Sequence, residues 1–238
     1  MKKLLFLLLF FLPLISHGAI SYISSTDLTS TPGTSQTTSV NVGSGSNRGL
    51  VVTGVSSTGT DDLTGITYAG VAMTRIGAVA PTSGARWLYL YWLSNPTSGT
   101  NNLVVSHSAS QPWYAGQASV YNGVNQSDTV DASNSLRAGG GATSYTMTLT
   151  TVADQAWIMG YISPDGYNPA ATSPALERGT DQGNAGYGDS NAGFSPGSNS
   201  IAWTWSTSAL FSEAHMSIAP AVAVASSPSQ ESDTILFE

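Results

Sequence analysis

The chain has 238 residues, no cysteine, and only 9% charged residues, for a net charge of −7; an average soluble domain carries about 25% charged residues. Disulfides, thiolate nucleophiles and cysteine-based metal sites are therefore excluded. An acidic chain without a basic patch repels phosphate backbones and anionic lipid, which argues against nucleic-acid partners and polybasic membrane attachment.

Residues 1–18 read as a secretory signal peptide: Lys2 and Lys3, an apolar stretch from Leu4 to Ile15, and the small-residue exit Ser16-His17-Gly18. The apolar stretch is about a dozen residues long and spanning a bilayer takes roughly 20, so it targets without anchoring. Cleavage after Gly18 removes both lysines and leaves five arginines against fourteen acidic residues, a net charge of −9. No later run is long enough to cross a membrane as a helix, and no cysteine is present for lipid attachment. The expected location is secreted, cell-surface or periplasmic, with a bacterial source.

Beyond Gly18 no apolar i, i+3, i+4, i+7 pattern lasts three turns, whereas period-two runs recur at the spacing of sandwiches and barrels. In chain order the predicted strands are Ala19 to Ile23, Thr37 to Val42, Gly49 to Val55, and Gly65 to Tyr68 joined by a tight Ala69-Gly70 turn to Val71 to Ile76. Next come Arg86 to Leu93, Asn102 to Ser108, Gln117 to Tyr121, Ser144 to Thr150, Ala156 to Ile162, Ser200 to Ser206, and Ala214 to Val224, interrupted by Pro220. Asn122-Gly123 suits a tight hairpin because both positions tolerate positive φ. Asn95 to Gly99 reads as a loop between two strong strands. Arg137 to Ala142, with three consecutive glycines, reads as too flexible for a packed strand and as a divider between halves. Ser163 to Asn199, poor in apolar residues, reads as a long surface loop or binding edge. The expected organisation is one domain over residues 19–225, then a polar tail over 226–238. Its fold class is all-β, an antiparallel sandwich of ten to twelve strands, jelly-roll-like, with an immunoglobulin-like arrangement as the alternative.

Three segments, Ile66-Thr-Tyr-Ala-Gly-Val-Ala-Met-Thr74, Leu88-Tyr-Leu-Tyr-Trp-Leu-Ser-Asn-Pro96 and Ser119-Val-Tyr-Asn-Gly-Val124, resemble an uncharacterised β-sandwich domain of bacterial secreted, surface and phage tail-associated proteins. The resemblance covers about half of the chain after Gly18. It implies an extracellular, non-catalytic module and brings no active site with it.

Aromatic residues are the first candidates for function. Alternation in Arg86 to Leu93 puts Trp87, Tyr89 and Tyr91 on one face and Leu88, Leu90 and Trp92 on the other. Trp203 and Trp205 likewise share a face. Such rows either fill a core or form a platform on which sugar rings stack. Trp113 and Tyr114 follow Gln111-Pro112 in an expected exposed loop. Among the acids, Glu213 and His215 stand two apart on one strand face, and Glu177 could supply a second carboxylate. A glycosidase needs such a pair about 5–9.5 Å apart. No helical zinc motif, nucleophile elbow or phosphate loop is present. Asp61, Asp62, Asp181 and Asp189, in loops rich in glycine and amides, could hold a structural calcium, which takes about six to eight oxygens; the same residues are ordinary turn formers. No other cofactor is expected.

The leading expectation is a non-catalytic protein that binds at an extracellular surface, through polysaccharide or cell-surface glycan or through self-association. A polysaccharide-active enzyme using Glu213 with Glu177 or His215 is the first competitor. A purely structural layer or tail component, held by strand edges, is the second.

Overall fold

The computed structural model describes residues 18–29, 32–56, 59–80, 86–111, 114–127, 130–164, 166–181 and 185–222. Trp113, the segment read as a signal peptide before residue 18, and the tail from 223 onward lie outside them. The described chain is antiparallel β throughout, with fifteen strands and no helix.

A central sheet has the order β1-β9-β3-β7-β6, formed by β1 (Ser21–Thr29), β3 (Gly49–Ser56), β6 (Thr74–Val79), β7 (Trp87–Ser94) and β9 (Tyr114–Asn122). A second sheet, β2-β8-β4-β5, joins β2 (Gly33–Asn41), β4 (Leu63–Tyr68), β5 (Val71–Ala72) and β8 (Thr100–Gln111). The third has the order β10-β15-β11-β14-β13: β10 (Ala132–Thr151), β11 (Trp157–Pro164), β13 (Leu176–Asp181), β14 (Ala185–Asp189) and β15 (Gly197–Ile218), with β12 (Ala170–Thr172) also paired to β15. The expected sandwich is present, with three stacked sheets.

The central sheet is covered on both faces, which is why β3 and β9 are buried along nearly their whole length. Toward the second sheet it sends Leu50, Val52, Tyr89, Tyr91, Ala118 and Val120, which meet Val40, Ile66, Tyr68, Leu103 and Val105. Toward the third it sends Val51, Val55, Leu88, Leu90, Trp92 and Tyr121, which meet Trp157, Met159, Tyr161, Tyr187, Ala214 and Met216. Each apolar face thus removes a face of its neighbour from water, at about 25 cal/mol for each Å² of apolar area buried.

A third core lies on the far side of the third sheet, because that sheet folds over itself. The proximal half of β10 pairs with Phe211 to Ser217 and its distal half with Gly197 to Thr204; the register shifts around Ala142 between them. Gly139, Gly140 and Gly141 sit at this bend, within a continuous strand. The expected divider is therefore a fold point in β10, where glycine permits the close approach: a Cβ on Gly141 would meet Ser208 Oγ at 2.5 Å. The distal strand pair brings Met147, Leu149, Ile201, Trp203 and Trp205 down onto Ile158, Ile162 and Phe211. Glycines on the sheet make room for it: a Cβ on Gly160 would meet Met147 Sδ at 2.6 Å, and one on Gly186 would meet the Trp203 ring at 2.7 Å.

Three other expectations are corrected. The segment read as a long loop contains β12, β13 and β14, which raises the strand number above twelve. Val71 to Ile76 divides at Met73 between β5 and β6, in different sheets. Asn122-Gly123 is no hairpin: only Gly123 has positive φ (73°), and the next pairing is the single bridge Val124–Pro220, so the chain crosses there toward the third sheet. The tight Ala69-Gly70 turn is present, with φ of 51° and 79°.

Candidate functional site

The best chemical candidate lies on β15. Period two turns Ala214, Met216 and Ile218 toward the central sheet, leaving Phe211, Glu213, His215 and Ser217 on the other face. There His215 Nδ1 stands 2.5 Å from Glu213 Oε2, and His215 Nε2 stands 3.2 Å from the Thr148 carbonyl oxygen. That carbonyl only accepts, so Nε2 carries a proton and donates it. Further along, Asp131 accepts hydrogen bonds from Ser217 Oγ (2.8 Å) and from the amides of Val152 (3.0 Å) and Ala153 (2.8 Å). The predicted pair of Glu213 and His215 is thus real.

Its surroundings are those of a core. Glu213 is 0% and His215 1% exposed, roofed by the fold-over of β10 and β15. Glu213 Oε1 has no hydrogen-bond partner among the described residues. Tyr145 lies near; burial, and secondarily the charge of Glu213, raise its phenol above the ordinary range. Glu177 is exposed on β13, three strand steps from β15, or roughly 14 Å across the sheet. The two carboxylates therefore do not meet, and a polymer cannot reach the one beside the imidazole. What the pair does visibly is mechanical: through Thr148 it fastens the folded-over strand to the sheet beneath.

His107 forms the other buried imidazole–acid contact. Its Nδ1 lies 3.5 Å from Asp62 Oδ2, and its ring meets Tyr114 edge-on at 5.6 Å. Ser56 Oγ lies 3.5 Å from Asp62 Oδ1, so the hydroxyl addresses the acid and not the imidazole, the wrong order for a nucleophile. Burial lowers the His107 pKa below its usual value, and Asp62 opposes that shift only in part. The unfolded chain therefore binds this proton more readily, and the stability involved is complete above about pH 6.5 and lost as pH falls through the lowered folded value. Urea melts at pH 7.5 and pH 5 should show an acid loss, at up to about 1.4 kcal/mol per pH unit, that His107→Gln reduces. An unchanged acid loss in that variant would count against a neutral buried ring.

Of the two readings of the aromatic rows, core filling is the one observed. Tyr89, Tyr114 and Trp203 are 0% exposed, Tyr91 3% and Trp205 6%. Tyr114 begins β9 and lies inside the core, not in an exposed loop. Trp87 is half-buried and stacks on Tyr89 with ring centroids 6.4 Å apart. Tyr91 of this row lines an open groove of about 450 Å³, with Thr64, Thr67, Met73, Arg75 and Ser106. Three of the four expected calcium ligands have protein partners. Asp61 pairs with Arg75 at 2.6 Å and accepts from Tyr89 Oη at 3.2 Å, while Asp62 faces His107. Asp189 is taken by Arg178, and the side chain of Asp181 lies outside the described residues. Among the described residues no three His, Asp or Glu side chains gather as metal ligands.

The most developed polar cluster escaped the sequence reading. Asp189, 0% exposed, accepts from Arg178 Nε (2.7 Å), from Arg178 Nη2 (2.9 Å), from Tyr121 Oη (2.8 Å) and from the Asn191 amide (2.9 Å). Tyr121 and Tyr187 share a hydrogen bond of 2.6 Å, and the Arg178 guanidinium lies 4.1 Å from the Tyr22 ring centre. This cluster joins β1 and β9 of the central sheet to β13 and β14 of the third. Tyr187-Gly188-Asp189 carried the signal, since period two puts its tyrosine and acid on one face. Comparison with family models, curated proteins and solved structures finds no match to this chain.

Proposed function

We propose that the protein is an exported, non-catalytic β module that works through its outer surface, chiefly by associating with copies of itself in an extracellular layer or appendage. The carrying observation is the division between inside and outside. The imidazoles, their acid partners and the aromatic rows are enclosed between layers, while the outward faces of β2, β10 and β15 present Ser35, Thr37 and Ser39, and Thr146, Thr148, Thr150 and Ser198. Neutral hydroxyl faces let copies approach without like-charge repulsion, and cross-strand hydroxyl pairs are mildly favourable contacts. The Tyr91 groove favours a second reading, a glycan-binding module, because it combines the small exposed part of Tyr91, hydroxyls and Arg75 in one concavity.

Sedimentation equilibrium of the purified protein tests the first reading, and retention on insoluble polysaccharides tests the second. Concentration-dependent association is the expected result. A monomer at every concentration that is held by a polysaccharide would favour the groove. Release of reducing ends would overturn both readings in favour of an enzyme.

A further inference from the structure

We propose that β2 is the edge through which two copies join, antiparallel and about a two-fold axis at Gln36, so that two four-stranded sheets become one. This rests on the self-association reading and names its interface. Among the described residues β2 pairs only with β8, so its other side carries unpaired backbone amides and carbonyls. Natural sheets guard such edges with charge, proline, bulges or shortness. Most other edges here are guarded: β1 carries Asp27, β6 Arg75 and β13 Glu177, and β5 has two residues, whereas the distal half of β10 is uncharged like β2. β2 reads Gly-Thr-Ser-Gln-Thr-Thr-Ser-Val-Asn, nine residues without charge or proline, and its register with β8 is regular from Ser35 to Asn41 and irregular between Gly33 and Ser35.

Gln36 gives the independent sign of a missing partner. It is 7% exposed, and its Nε2 has no hydrogen-bond partner among the described residues. An unmet buried donor is costly in a folded protein. A second β2 laid antiparallel with Gln36 on the axis sets the two Gln36 side chains directly opposite, with Cβ atoms about 4.5–5.5 Å apart. Each amide, turned from its covered position toward the seam, then donates from Nε2 to the other's Oε1, as in stacked glutamine ladders. The same register puts Ser35 opposite Thr37 and Thr34 opposite Thr38, hydroxyl against hydroxyl, with no like charges facing. Pairing β13 with itself would bring the exposed Glu177 of each copy to the seam. Charge thus disfavours β13, the unmet Gln36 amide singles out β2 over the uncharged distal half of β10, and a second copy of this chain is the occupant.

The absence of cysteine makes the test direct. Under mild oxidation Gln36→Cys should form a covalent dimer at concentrations where the unaltered protein associates. Ser39→Cys should form at least tenfold less, because the two Ser39 positions lie about 20 Å apart in this register. Thr37→Lys, at an exposed position, should weaken association at least tenfold, and mixing it with Thr37→Glu should restore it. Association that survives Thr37→Lys, with no preference for Gln36→Cys over Ser39→Cys, would overturn this interface and leave self-association standing. An unaltered protein that stays monomeric would overturn both.

Discussion

Asp189→Ala should lower stability by about 3–5 kcal/mol, as expected when one partner of a buried ion pair is removed. Four hydrogen bonds end on that carboxylate; of the groups left behind, Tyr121 is fully buried, while Arg178 keeps its 2.8 Å bond to Asn191 Oδ1. Burial disfavours the charge on Arg178, and the hydrogen bonds and charge of Asp189 more than offset it, so the guanidinium pKa stands above its ordinary value. Without the acid, the side chain of Arg178, 11% exposed, holds a charge with no counterion nearby. Tyr121 also loses its acceptor. Urea unfolding measures the loss, equivalent to roughly 10 °C in melting temperature for a chain of this size. The double variant Arg178→Met, Asp189→Ala should recover part of it, because no unpaired cation remains. A loss below about 1 kcal/mol in the single variant would mean that the cluster decorates the joint between sheets and does not hold it.

How much of this was legible depends on the distance over which each feature is decided. Alternation in Trp87 to Ser94 is a local property, and the two faces read from the sequence are the two faces observed. Whether such a strand is covered on both sides or shows an aromatic platform depends on other sheets, and no residue in the strand reports them. Ser163 to Asn199 looked like a loop because glycine weakens strand propensity. Its strands form because Gly186 and Gly188 leave space for Trp203, which arrives from another strand of the same sheet. The three glycines of β10 misled for the same reason: flexibility read locally as a break is used as a bend within one strand. At the candidate site, the shared face of Glu213 and His215 followed from a spacing of two. Their burial did not, because the roof includes Thr148, which stands 67 positions from His215.

Raising the pH above 10 should unfold the protein cooperatively, with the phenols as the cause. Tyr121 and Tyr187 are raised above the ordinary phenol range by burial first and then by the neighbouring Asp189; for Tyr121 the charge of Tyr187 adds to this. Burial also raises Tyr89, despite its hydrogen bond with Ser56, and pushes Tyr91 up to about 12 against the opposing charge of Arg75. An unfolded phenol ionises near pH 10, so above that pH the unfolded chain sheds protons that the folded one keeps. The stability involved is complete below about pH 10 and is lost as pH rises toward the raised folded values. Each phenol contributes about 1.4 kcal/mol per pH unit, so four together take about 5 kcal/mol per unit from a typical reserve of 5–15 kcal/mol. Phenolate absorbance should therefore rise in step with the loss of the β circular-dichroism signal, and not before it. Tyr91→Phe gives the cleanest variant: it should leave stability near neutral pH almost unchanged and flatten the alkaline slope by about one quarter. Ionisation of these phenols in a chain that keeps its β signal would show that water reaches between the sheets, contrary to the packing of all three layers.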